Sequence, residues 1–166
     1  MMEKSKLYLL MGCPGSGKST YLKNRFSLLP TAIVSRDAIR FSLVKEDEEY
    51  FSKEKEVYKQ FIETIIDSFK YNTEVFADAT HLNEISRAKT LRSLGKHLKD
   101  IEVNIIWVRV PIEVAIKRNE NRIGTRAYVP KSVIRRMWSQ TTMPTKEEGF
   151  THIYIVDENG KEKEII

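Results

Sequence analysis

The sequence predicts an α/β fold of three layers, a central parallel sheet of about five strands flanked by helices. Three observations lead to it: short apolar runs alternate with amphipathic stretches, the connections between them are short, and the apolar runs carry the β-branched residues that suit buried strands. In such a sheet ligands gather at the carboxyl ends of the strands, so the loops that follow strands are where chemistry is sought.

The first strand is the apolar run 6–11, and a glycine-rich turn follows it directly. A helix over about 18–27 comes next, then a short strand at 32–34 and a short helix starting near Arg36. The spacing predicts a long helix over about 48–69, where Tyr50, Phe51, Val57, Tyr58, Phe61, Ile62, Ile65, Ile66 and Phe69 recur every three or four residues as a core-packing stripe. A strand at 74–77 precedes a helix over about 83–98, and the strand at 103–110 is the longest and the richest in β-branched residues. Pro111 opens a helix over 112–123, because its fixed φ suits a first helical turn, and Pro130 opens another through about Gln140. A last strand at 152–156 runs into Asn159-Gly160, a turn pair that suits a small terminal hairpin.

A chain of 166 residues suits one packed core, and no linker, repeat or low-complexity stretch divides it, so residues 1–166 read as a single domain. With 41% hydrophobic and 31% charged residues it has neither the make-up of a disordered chain nor a fibrous bias. The apolar runs are too short to span a bilayer, and the amino terminus runs into the glycine loop instead of a cleavage site, which speaks against a membrane partner and for the cytoplasm. The single cysteine, Cys13, excludes an internal disulfide and a cysteine metal cluster; it reads as a small apolar filler within the loop. A net charge of +5 suits an anionic partner and equally suits simple solubility, so charge alone identifies no partner, and self-association into a homo-oligomer stays open.

Between the first strand and the first helix lies GCPGSGKST, comprising Gly12, Cys13, Pro14, Gly15, Ser16, Gly17, Lys18, Ser19 and Thr20. It satisfies G-x-x-x-x-G-K-[ST] in the context that gives the pattern meaning: strand, loop, helix. The glycines let successive amides turn inward around phosphate oxygens, Lys18 reaches the β and γ phosphates, and the Ser19 hydroxyl takes Mg²⁺, so the loop implies ATP and Mg²⁺. The N-K-x-D segment of a GTPase is missing. The third strand ends Phe76-Ala77-Asp78-Ala79 instead of in the adjacent acids of a motor ATPase, and phosphoryl transfer to an acceptor fits better.

After the second strand, Asp37 and Arg40 stand three apart at the start of a helix, on one face and at the sheet's carboxyl edge. Asp37 is the candidate carboxylate that orients an acceptor hydroxyl and takes its proton, and Arg40 the candidate partner for an anionic part of the acceptor. The competing reading makes Asp37 a helix-start acid and Arg40 a solvated charge. Past the third strand, Asp78 and Thr80 are placed to support a Mg²⁺-bound water or the acceptor, while Asn83 reads as a helix cap, and neither His81 nor Arg87 is assigned a role.

Residues 118–130 form a polar segment with Arg118, Arg122 and Arg126 spaced four apart, the make-up of a lid that closes over a triphosphate. Arg122 is the first candidate for neutralising charge as the phosphoryl group moves. Arg135, Arg136 and Trp138 combine charge and a stacking surface, as single-stranded nucleic acid requires, although Trp138 reads equally as core.

In order and spacing, GCPGSGKST, SRDAIR, DATHLNEISR, KRNENRIGTRAYVP and the following VIRRMW resemble the kinase half of the T-even-phage type of 5′-polynucleotide kinase, an adenylate-kinase-like P-loop protein. The likeness runs from about residue 6 to 143. It implies a P-loop kinase that transfers the γ-phosphate of ATP to the 5′-OH end of a nucleic acid. In that family the aspartate matching Asp37 is the general base, the arginine matching Arg40 contacts the phosphate beside the acceptor nucleotide, and the arginine matching Arg122 contacts the donor phosphates. The chain shows no D-x-D-G-T motif, so 3′-phosphatase activity is not expected, and the acidic and aromatic segment 46–72 matches nothing in the family in detail. Two other readings stand beside this one: a kinase of a nucleoside, modified DNA base, sugar or antibiotic, and an ATP-binding regulator without acceptor chemistry.

Overall fold

The computed structural model describes residues 3–25 and 27–166. The strands are β1 (Ser5–Met11), β2 (Thr31–Ser35), β3 (Glu74–Asp78), β4 (Ile101–Val108), β5 (His152–Val156) and β6 (Glu162–Glu164). The α-helices are α1 (Lys18–Asn24), α2 (Arg36–Leu43), α3 (Glu54–Ser68), α4 (Glu84–Leu94), α5 (Ile112–Glu120) and α6 (Lys131–Ser139). They build one sheet in the order β2-β3-β1-β4-β5-β6. The first five strands are mutually parallel, as expected, and β6 adds an antiparallel edge through the turn at Asp157 to Lys161, where Gly160 takes a φ of 78°.

Alternation along β1 shows how both faces are covered. Leu7, Leu9 and Met11 enter a cluster with Phe61, Ile62 and Ile65 of α3, whereas Tyr8 and Leu10 enter a second cluster with Leu22 of α1. Side chains that point to opposite faces of a strand therefore meet helices on opposite sides, which is the three-layer arrangement. The loops after β1, β2 and β3 emerge together at the sheet's carboxyl edge, because these strands are parallel neighbours in register.

Several boundaries differ from the sequence expectation: the helix expected over 83–98 runs Glu84–Leu94 and continues as a 3-10 helix over Gly95–Leu98, and the fourth strand runs Ile101–Val108 instead of 103–110. The long helix begins at Glu54 instead of near residue 48: Tyr50 and Phe51 precede it in turns, and Phe51 is 63% exposed, so the stripe contributes to the core only from Val57 onward. The helix after Pro111 ends at Glu120, where irregular turns begin. The first helix ends at Asn24; its expected extension to residue 27 crosses Phe26, outside the described residues. Asn83 caps α4 in a reciprocal capping box with Ser86.

His81 is buried beside the start of the glycine loop, its Nδ1 2.9 Å from the Leu10 carbonyl and its Nε2 3.0 Å from Thr90 Oγ1. A carbonyl only accepts, so Nδ1 carries the proton and Nε2 accepts from the threonine, the neutral ring. Burial lowers its pKa from 6.5 to about 4. Between these values the unfolded chain binds a proton that the folded chain refuses, so stability falls as the pH drops through this window. The predicted loss is about 3 kcal/mol from pH 6.5 to 4, and urea unfolding of wild type against His81→Gln across that range should show it only in the wild type.

Candidate active site

The glycine loop leaves β1 and folds over the amino end of α1. Gly15 has a φ of 83°, and a Cβ there would lie 2.3 Å from the Ala115 carbonyl oxygen, so no side chain fits. Gly17, φ 103°, is the N-cap of α1 and offers no side-chain cap. The first amides of α1 are thus left facing the loop, a donor set suited to an anion. The Lys18 ammonium curls back to donate to the Gly12 carbonyl at 2.8 Å and the Cys13 carbonyl at 3.4 Å. Its enclosure lowers its pKa, opposed by the charges of Asp78 and Asp37. Among the described residues the buried Ser16 Oγ has no partner, Cys13 is buried within the loop, and Ser19 and Thr20 are exposed. These groups fit a magnesium nucleotide: amides and ammonium for the phosphates, the Ser19 hydroxyl as a hard oxygen for Mg²⁺.

Two cavities meet at this loop. One, of about 690 Å³, is lined by Gly15, Ser16, Gly17, Thr20, Arg118 and Arg122 and is closed by the turn between β5 and β6. The other, of about 320 Å³, is lined by Pro14, Lys18, Ser19, Asp37, Asp78 and Thr80 among others, with Val129, Val133 and Met137 as an apolar wall. Gly15, Gly17 and Arg122 line both. A nucleotide whose phosphates lie on the loop thus has room for its nucleoside on one side and for an acceptor on the other. Burial, helped by the charge of Asp37 and opposed by Lys18, raises the pKa of Asp78.

The short side of the second cavity is built on α2. Ser35 caps that helix by accepting from the Ala38 amide, which places Asp37 in its first turn. Asp37 Oδ1 receives hydrogen bonds from Arg40 and from the Tyr50 hydroxyl at 2.9 Å, while Oδ2 has no protein partner among the described residues. Arg40 is buried, not solvated: Nη2 donates to both Glu54 oxygens at 2.6 and 2.9 Å, and Nη1 donates to Asp37 and to Tyr50 at 2.8 Å. Burial pushes the Tyr50 phenol up to about 12, so it remains a donor to Asp37 at neutral pH.

The three arginines of segment 118–130 part company. Arg118 braces the loop, donating to the Ser16 carbonyl at 3.0 Å and the Glu158 carbonyl at 3.1 Å. Arg122 stands between the cavities. Arg126 goes elsewhere: it donates to the Phe41 and Val44 carbonyls at the end of α2 and lies over the Phe41 ring, lining neither cavity. The base of the segment is fastened by buried Asn119, which accepts from the Val129 amide at 3.0 Å and donates to its carbonyl. Trp138 is half-buried on α6, and Arg135 and Arg136 are exposed.

Sequence reasoning missed Tyr50 and Glu54, which the helical stripe had disguised as core and surface, and the Asp157 to Gly160 turn that closes the larger cavity. A buried arginine needs a carboxylate partner, but the sequence does not say that this partner lies fourteen residues on.

The strand order and the glycine loop at its carboxyl edge together define a P-loop kinase-like fold. The chain belongs to the AAA domain family, whose sequence profile matches residues 7–144. It is 25% identical over 156 residues to the transcription factor bHLH140 of Arabidopsis thaliana, covering 90% of this chain and 16% of that protein, so it spans about a sixth of that curated relative. A chain of the Pnkp1/Rnl/Hen1 RNA repair complex superposes with a TM-score of 0.66 at 23% identity, over 84% of this chain and 45% of that one. A sugar kinase from Janibacter sp. HTCC2649 superposes with a TM-score of 0.60 at 16% identity, over 95% of this chain and 87% of that one. Among the described residues no helix is long and apolar enough to cross a membrane.

Proposed function

We propose that this chain is an ATP-dependent phosphotransferase, a single P-loop kinase domain over residues 1–166 with 118–130 as its lid, which moves the γ-phosphate of ATP onto a hydroxyl group. The observation that carries this reading is the pair of cavities joined at the glycine loop, with Asp37 in the smaller one beside Lys18 and Ser19. The loop amides and Lys18 hold the polyphosphate, and Ser19 holds Mg²⁺, which when bound neutralises charge on the β and γ phosphates. Asp37, its Oδ1 fixed, presents Oδ2 to an acceptor hydroxyl and receives its proton. Arg122, lining both cavities, stabilises charge on the phosphoryl group in transit.

The acceptor we favour is a compact alcohol, such as a nucleoside, a modified base, a sugar or an antibiotic. The smaller cavity, about 320 Å³ and walled by Val129, Val133 and Met137, has the size of a small-molecule site. The second reading, a 5′-OH end of DNA or RNA, draws on the likeness to a chain of an RNA repair complex and on exposed Arg135 and Arg136 as a track for a strand.

Incubation with Mg²⁺ and γ-labelled ATP against nucleosides, sugars and 5′-OH DNA and RNA oligomers separates these. Label on a small alcohol is the expected result. Label confined to oligomers moves the assignment to the polynucleotide reading, and ATP binding without transfer to any acceptor leaves a nucleotide-dependent regulator.

A further inference from the structure

Among the charged side chains that line the smaller cavity, four are paired with one another: Arg36, Asp37, Arg40 and Glu54. Arg40 is the one whose position suits an acceptor phosphate, yet both of its terminal nitrogens are already engaged, Nη2 by the two oxygens of Glu54 and Nη1 by Asp37 and Tyr50. The pair of terminal nitrogens that would otherwise take two oxygens of a phosphate is thus occupied. The ring of Tyr50 lies over the guanidinium with 4.5 Å from its centre to the Arg40 carbon, and Phe51 packs edge-on against Tyr50 with its own ring centre 5.7 Å from the same carbon. Arg36 reaches Glu54 as well, at 3.4 Å.

We propose that Glu54 sets acceptor specificity by neutralising Arg40, so that the cavity takes a neutral alcohol with a flat apolar portion, nucleosides included, and turns away one carrying a phosphate beside its reacting hydroxyl. The inference rests on the kinase reading above and names the chemistry of its acceptor. An incoming phosphate meets the carboxylates of Glu54, Asp37 and Asp78, and binding Arg40 requires it to displace Glu54 from a buried partner. Lys18 and Arg122 also border this cavity, but on the kinase reading their charges are taken up by the phosphates of the donor, and Lys18 is turned back onto the Gly12 and Cys13 carbonyls. A neutral acceptor disturbs none of these pairs and lays its apolar surface against Phe51, Val133 and Met137.

The test compares nucleosides with their 3′-monophosphates. Two quantities are measured: kcat/KM with ATP, and equilibrium binding of the same compounds to protein loaded with Mg²⁺ and a non-hydrolysable ATP analogue. Wild type is expected to favour the nucleosides by about tenfold or more in both, and Glu54→Gln, which keeps the side chain's size, to reduce that ratio by about tenfold or more. Affinity for the ATP analogue serves as the folding control, and Glu54→Ala gives the same comparison if the first variant does not fold. Preference of wild type for the monophosphates, a ratio unmoved by substitution, or binding of neither class overturns the role of Glu54. The expected binding ratio without any transfer of phosphate overturns the kinase reading while the role of Glu54 in selecting the ligand stands.

Discussion

Asp37→Asn is expected to lower phosphoryl transfer by roughly 10² to 10⁴-fold while leaving ATP binding as it is. Asparagine keeps an oxygen for the hydrogen bonds from Arg40 and Tyr50, so the side chain should hold its place. What changes is the other end: an amide nitrogen stands where Oδ2 was, and it cannot take a proton from an alcohol. Asp37 lines the smaller cavity and not the larger one, which is why nucleotide affinity is expected to survive. Single-turnover transfer from labelled ATP, with nucleotide affinity measured in parallel, checks both halves. An unchanged transfer rate removes Asp37 from the mechanism. Equal loss of binding and transfer makes it a structural prop of the loop.

The layout around Asp37 shows which parts of a site a sequence discloses. The glycine loop is legible because its demands are local: strand, turn and helix all lie between Ser5 and Asn24, and a position such as Gly15 admits no Cβ. The sheet is legible for the same reason, since β1 announces both of its faces through Leu7, Leu9 and Met11 on one side and Tyr8 and Leu10 on the other. Arg40 was legible as a residue but its ion pair was not, because its partner Glu54 is brought to it by the packing of α2 on α3. Arg126 shows the limit of spacing. It follows Arg122 by four residues, but the chain between them is not helical, so the two side chains do not share a face. Its docking on α2 also ties the segment 118–130 to the helix that carries Asp37, a link between the two sides of the cleft that no local pattern records.

The largest expected loss of stability comes from Arg87, which the sequence marks as nothing special. Its side chain is fully buried, and its guanidinium donates to Glu148 at 2.7 and 3.2 Å, to the carbonyls of His81 and Thr142 at 3.2 and 3.1 Å, and to Thr142 Oγ1 at 3.1 Å. It thereby fastens α4 to the segment leading into β5, much of which has no regular backbone hydrogen bonding of its own. Arg87→Met leaves Glu148, itself 7% exposed, as an uncompensated charge and strips partners from two carbonyls, for which about 3 to 5 kcal/mol is expected in denaturant unfolding. Adding Glu148→Gln should return part of that loss, because the ionic penalty goes with the carboxylate while the orphaned carbonyls remain. A double variant as unstable as the sum of the single ones would mean that the pair is not coupled. The effect should reach the nucleotide site as well, since Arg87 holds the carbonyl of His81, the neighbouring Thr80 carbonyl accepts the Gly12 amide at 3.0 Å, and that amide begins the glycine loop. In Arg87→Met, ATP affinity is therefore expected to fall below that of wild type at temperatures where the variant is still folded, which a purely global loss of stability does not produce.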